Sequence, residues 1–159
     1  MLFRSVVFSQ WTSFLDLVQA QLERNGLNFT RLDGKMNSTR RDAAIDALNT
    51  DPSCKIMLAS LSVCSVGLNL VAANQVVLAD SWWAPAIEDQ AVDRVHRLGQ
   101  TRDCKVVRLI VEGTIEDEVL EIQAKKRQLA SEAFGEKDGG KKRKEQRAGT
   151  LRDIERMLG

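Results

Sequence analysis

Gln90, Arg94 and Arg97 stand at positions i, i+4 and i+7 of the run Asp89-Gln90-Ala91-Val92-Asp93-Arg94-Val95-His96-Arg97-Leu98-Gly99-Gln100. On a helix those positions share one face, so an amide and two guanidinium groups point the same way. Arginine holds its charge and offers planar, paired donors, which suits a triphosphate whose charge grows during phosphoryl transfer. A plainer reading of the same residues is a solvated helix face with Asp89 and Asp93 as ion-pair partners, because exposed pairs are common and weak.

The elements that must position these side chains follow from the hydrophobic pattern. Short apolar runs alternate with helical stretches, which predicts an α/β fold with a mainly parallel sheet. Val6–Phe8, Phe29–Leu32, Ile56–Ala59, Gln75–Ala79 and Val106–Val111 read as strands. Trp11–Arg24 reads as a helix with Phe14, Leu15, Val18 and Leu22 on one stripe, ended by Asn25-Gly26. Ser38 is the expected cap of a helix that turns Ile45 and Leu48 inward, and Pro85 the expected start of the helix carrying Gln90, Arg94 and Arg97. Thr114 and Asp117 resemble a capping box at the head of a long helix with Ile115, Val119 and Ile122 on one side.

Composition sets bounds on function. The 159 residues suit one domain with a sizeable core, and a net charge of +1 leaves any nucleic-acid contact to local clusters. Cys54, Cys64 and Cys104 are odd in number and lack close paired spacing, against a disulfide framework or zinc site and in favour of reduced thiols. No metal-ligand set is expected. No apolar stretch approaches the ~20 residues of a membrane span, and no secretory signal is evident. The Gly-x-x-x-x-Gly-Lys-Ser/Thr phosphate loop is absent, as is an Asp-Glu magnesium box. No Gly-x-Gly-x-x-Gly follows a strand, which excludes a dinucleotide-binding oxidoreductase.

The motif run of 89–100 resembles motif VI of the Swi/Snf-type branch of superfamily 2 helicases. Val6-Val7-Phe8-Ser9-Gln10-Trp11 resembles motif IV, and Arg31-Leu32-Asp33-Gly34 the turn after the next strand. Ser60 to Leu70, ending Gly67-Leu68-Asn69-Leu70, resembles motif V, and Asp80-Ser81-Trp82-Trp83-Ala84-Pro85 the Asp…Trp-Asn-Pro element. The chain is thus similar to the C-terminal lobe of these ATPases over about residues 4 to 130. Within the branch it most resembles helicase-like transcription factor and its fungal relatives in post-replication repair.

The resemblance implies a RecA-like three-layer fold with a C-terminal helical extension. It implies ATP bound between two lobes, with Mg2+ held by the other, N-terminal lobe. It makes Arg94 and Arg97 arginine fingers and puts Gln90 near the terminal phosphate or attacking water. Gly67 and Asn69 match positions near the nucleotide ribose, against the alternative of a plain turn with Asn69 as a cap. Gln10, Trp11, Asp33, Gly34, Lys35 and Ser60 become candidates for contacts to the DNA backbone, each with an alternative as a surface or capping residue; Arg40 and Arg41 add positive charge. Trp82 and Trp83 either stack on bases or a ligand or pack against the motif VI helix. His96 is read as a hydrogen-bonded coupling residue rather than a catalytic base.

The chain also departs from the family. Ser62-Val63-Cys64-Ser65 stands where Lys-Ala-Gly-Gly is usual, and Ala84 replaces an asparagine. Cys64 admits a redox-sensing or a buried-thiol reading. The expected layout is a lobe over 1–134, a charged linker over 135–149 holding the basic run Lys141-Lys142-Arg143-Lys144 and Arg147, and a short amphipathic helix over 150–159. That basic run suits solvent, DNA or nuclear import. The expectation is half of a motor, whether an excised domain, a truncated gene model or a natural fragment. Its function is that of the second lobe of an ATP-dependent double-stranded-DNA translocase in repair or chromatin remodelling. Its expected partners are DNA, the N-terminal lobe and chromatin or repair proteins, not a membrane, and its location is the nucleus. The alternative is a degenerate or stand-alone lobe that binds DNA or protein without turnover.

Overall fold

The computed structural model describes residues 3–65 and 67–135. Five short strands alternate with helices: β1 (Ser5–Ser9), α1 (Thr12–Arg24), β2 (Phe29–Leu32), α2 (Ser38–Thr50), β3 (Ile56–Ser60), a 3₁₀ helix (Leu61–Ser65), β4 (Gln75–Leu78), α3 (Pro85–Val95), β5 (Lys105–Arg108) and α4 (Ile115–Gly135). The strands form one sheet in the order β2-β3-β1-β4-β5, every neighbouring pair parallel. Parallel sheets need both faces covered, so their inner strands read as continuous apolar runs. β3 does so: Met57, Leu58, Ala59 and Ser60 are all buried. The α/β, RecA-like reading holds, and the sheet is wholly parallel.

By contacts the chain groups into two compact units, Met1–Ile110 and Val111–Gly159. The sheet, the 3₁₀ helix and α1 to α3 belong to the first. Its core is built from Val6 and Phe8 of β1, Met57 and Ala59 of β3, Val76 and Leu78 of β4, and Ala91 and Val95 of α3. In the second unit, Asp117 accepts from the Gly113 N–H at 2.7 Å and Thr114 Oγ1 from the Glu116 N–H at 3.3 Å, which caps the start of α4. Apart from Gly135, the last residue of α4, the expected linker over 135–149 and helix over 150–159 lie outside the described residues.

Several boundaries move, each for a local reason. Trp11 is the N-cap of α1 rather than its first residue. Gly26, at φ 64°, closes α1 as expected: its N–H reaches Glu23 O and the Leu27 N–H reaches Leu22 O at 3.0 Å. α2 is capped by Asn37, whose Oδ1 accepts from the Arg40 N–H at 2.9 Å, so Ser38 is the first helical residue and not the cap. β5 ends at Arg108, where its pairing with β4 ends at Leu78: the Leu109 N–H takes the Leu78 carbonyl at 2.9 Å, and among the described residues no strand pairs with Ile110.

The largest correction concerns α3. Pro85 opens it as expected, but it ends at Val95 with His96 as C-cap, so Arg97 does not continue the helical face of Gln90 and Arg94. The Arg94 carbonyl is taken by the Leu70 N–H at 2.9 Å, and Gly99 at φ 103° turns the chain back, with the Gln100 N–H on the Arg97 carbonyl at 2.9 Å. A tertiary bond and a left-handed glycine override local helical preference there.

Candidate functional site

Parallel strands all present their carboxyl ends at one edge, and in open α/β sheets that is where ligand-binding loops gather. Here β2, β3, β1 and β4 deliver, side by side, Asp33–Lys35, Ser60–Ser65, Gln10–Trp11 and Asp80–Trp83. The residues that the motifs single out are therefore brought to one edge by strand order.

The β1 and β4 ends are tied together by Asp80. Its carboxylate accepts from Ser9 Oγ in a short bond and from the Gln10 N–H at 3.0 Å, while Ser9 Oγ accepts from the Trp11 N–H at 3.0 Å. These bonds fix the backbone of 9–11 and leave the Trp11 side chain 60% exposed at the head of α1. The β2 end is an Asx turn, Asp33 Oδ1 accepting from the Lys35 N–H at 3.1 Å, with Lys35 exposed. A Cβ added to Gly34 would lie 3.3 Å from Ser62 Oγ, so this turn sits close against the end of β3. Ser60 itself is buried, its hydroxyl 2.8 Å from Ser62 Oγ. Ser62, not Ser60, is the exposed hydroxyl of that pair.

The loop after β3 and the end of α3 form the second half of the edge. Ala91 and Val95 bury one face of α3 in the core with Val63, Cys64, Leu68 and Leu70, and Gln90 stays exposed on the outside. Arg94 donates from Nε and Nη2 to the Cys64 carbonyl at 3.0 and 2.6 Å. Arg97, exposed beyond the helix end, donates from Nη1 to the Leu68 carbonyl at a long 3.4 Å. The two arginines thus return to the same loop by different routes, and their acceptors, Cys64 and Leu68, bracket Gly67 in sequence. Gly67 and Asn69 are exposed on that loop. Among the described residues nothing lies within 4 Å of a Cβ placed on Gly67, whose φ is not left-handed, so neither their packing nor the backbone demands glycine. No helix starts at Asn69, which removes its reading as a cap.

Ser62 to Ser65, the stretch that departs from the motif V pattern, fold into the 3₁₀ helix with Val63 and Cys64 buried. Burial pushes the Cys64 thiol up to about 12, against the smaller opposing pull of Arg94. A fully buried, protonated thiol is a packing group, not a redox sensor. Trp82 packs against the core and lies 5.9 Å from Trp83 between ring centroids, which favours the packing reading over base stacking.

Sequence reasoning missed the groups that hold this edge. Ala84 caps α3 with no side-chain bond. The stabilising carboxylate comes instead from buried Glu88, whose Oε1 accepts from the Trp82 N–H at 2.8 Å and whose Oε2 pairs with Arg108 Nη2 at 2.6 Å. Nothing in local spacing links Glu88 on α3 to an arginine on β5. Gln100 was also unassigned, although it closes the motif VI string.

The comparisons with known proteins agree with this architecture. The helicase conserved C-terminal domain model matches residues 3–99. "Helicase-like transcription factor CHR28" of Arabidopsis thaliana is 47% identical over 137 residues, 86% of this chain and 14% of that protein. "DNA repair protein RAD5" of Cryptococcus neoformans is 43% identical over 157 residues, 98% of this chain and 13% of that protein. The solved C-terminal part of the Fun30 ATPase domain superposes with a TM-score of 0.74 at 32% identity, covering 76% of this chain and 38% of that one. The chain spans about one-seventh of the length of these curated relatives. With the parallel sheet, the ordered motifs and the paired arginines on the page, the chain belongs to the helicase conserved C-terminal domain family, as a C-terminal lobe of the Swi/Snf-type ATPases.

Proposed function

We propose that this chain works as the second lobe of an ATP-dependent double-stranded-DNA translocase, closing over a nucleotide held by an N-terminal lobe. The observation that carries the reading is the convergence of Arg94 and Arg97 on the loop bearing Gly67 and Asn69. ATP with Mg2+ supplies the phosphoanhydride to be cleaved. The side chains present suit it: two permanent cations, Arg94 and Arg97, reach the loop that carries Gly67, whose backbone is unobstructed, and the Gln90 amide is exposed on α3. In this reading Arg97 and Arg94 neutralise charge that develops on the transferring group, and Gln90 orients water or terminal phosphate. Gly67 and Asn69 face the ribose.

The neighbouring strand ends serve the other substrate. Gln10, Trp11, Asp33, Gly34 and Lys35, with the Ser60–Ser62 pair, lie on the same edge and supply contacts to the DNA backbone, which position a duplex without reading its sequence. Relatives named for DNA repair and for helicase-like transcription factors support a role in repair or chromatin remodelling in the nucleus, among chromatin or repair proteins.

In the two-lobe ATPase, Arg97→Ala should lower turnover by ~10²–10⁴ while ATP binding changes little, because a finger acts mainly in the transition state. Wild-type turnover in that variant would remove the finger role. A second reading, a lobe that binds without turnover, is favoured by one observation: Arg94 already directs two of its five N–H donors, from Nε and Nη2, at the Cys64 carbonyl. Retained DNA binding with no DNA-stimulated hydrolysis by the two-lobe protein would select it.

A further inference from the structure

Because α3 stops at Val95, no helix fixes Arg97. What does fix it converges on one side chain. Gln100 closes the turn through its own N–H on the Arg97 carbonyl at 2.9 Å. Its Nε2 lies 2.7 Å from the Ala73 carbonyl, 3.1 Å from that of Val71 and 3.3 Å from that of Val95. Its Oε1 accepts from the Arg102 N–H at 3.1 Å. Two amide hydrogens serve three carbonyls, so at least one is shared, and both ends of the carboxamide are engaged. One half-buried group therefore joins the end of α3, the stretch following Gly67–Leu70, and the turn that carries Arg97. Among the described residues, Arg97 itself adds only the long bond to Leu68.

We propose that Gln100 is a positioning residue for Arg97, an inference that rests on the finger reading above. A carboxamide is required because it must donate to carbonyls and accept from an amide at once. A glutamate of the same shape keeps the acceptor, loses the donors and sets a negative charge against three carbonyl oxygens.

The test is a double-mutant cycle in the two-lobe ATPase of which this chain is the second lobe. Gln100→Ala should lower kcat by ~10- to 10²-fold, the scale of a misplaced catalytic group, with KM for ATP within about twofold. Gln100→Glu should lose at least as much. In an Arg97→Ala background, Gln100→Ala should cost nothing further, because a residue acting only through Arg97 has nothing left to position. Retained protection of the Leu70 amide from hydrogen exchange shows that the lobe is folded; should the alanine variant fail that check, the isosteric Gln100→Glu carries the cycle. Losses that multiply in the double variant, or wild-type kcat in both Gln100 variants, overturn the proposal while the finger reading stands. Wild-type turnover in Arg97→Ala overturns both.

Discussion

At the scale of single residues, the chemistry of Cys64 illustrates how a side chain's setting decides its role. Its folded-state ionisation lies near 12, above the ordinary thiol value, because burial disfavours the thiolate. A group whose folded value is raised contributes fully below the unfolded value, and that contribution fades as pH climbs through the gap. Between about pH 9 and 12 the unfolded chain gains stability by releasing a proton that the folded chain keeps, at roughly 1.4 kcal/mol per pH unit for one thiol. Denaturant titrations should show wild type losing stability faster than Cys64→Ala over that window, and equal slopes would mean that the native thiol ionises freely. Residue types were readable in the sequence here; partners were not. The string from Gln90 to Gln100 shows which groups are available, but the carbonyls of Cys64 and Leu68 that receive the arginines are backbone atoms about thirty residues away, and no spacing rule reports them. The pairing of Glu88 with Arg108 is hidden for the same reason.

At the scale of elements, periodicity revealed the order of strands and helices because each buries one regular face, whereas ends depend on individual hydrogen bonds. The one-residue shift of the α2 cap is directly measurable. Asn37→Ala should destabilise the lobe by about 1 kcal/mol, since it removes the acceptor for the Arg40 N–H. Ser38→Ala should change the urea midpoint little, and the reverse ranking would restore Ser38 as the cap. The early end of α3 is tested at Gly99. At φ 103° an alanine is strained even though open space surrounds its Cβ, so Gly99→Ala should cost about 1–3 kcal/mol in stability. Periodicity alone favoured continuing α3 through Arg97, because Val95-His96-Arg97-Leu98 contains no helix breaker. The competing signals were Gly99 and a long-range bond from Leu70 to Arg94, of which only the glycine is visible in sequence.

At the scale of the whole molecule, near-neutral charge and the missing phosphate loop set the expectations for the chain alone. Purified 1–159 should show no DNA-stimulated ATP hydrolysis in a phosphate-release assay, because nothing in its sequence matches the loop that holds the phosphates. Its DNA binding should be weak, indifferent to sequence and steeply salt-dependent, each neutralised phosphate adding about 0.9 to the log–log slope. Lys35→Ala should flatten that slope by about one contact, and deletion of 136–149 by more if the basic run at Lys141–Lys144 engages phosphates; titrations at several salt concentrations separate the two. Strand order has a further consequence, for how the chain acquires its structure. β1 occupies the middle of the sheet, yet Ser5 pairs with Ile56 on one side and Gln75 on the other. Its two neighbours are made long after it, so during synthesis the apolar Val6-Val7-Phe8 segment must wait for both. Loop closure over such separations makes assembly slow and leaves a sticky intermediate exposed meanwhile. A nascent chain halted before β4 has emerged would present one flank of its central strand unpaired, a natural target for ribosome-associated chaperones.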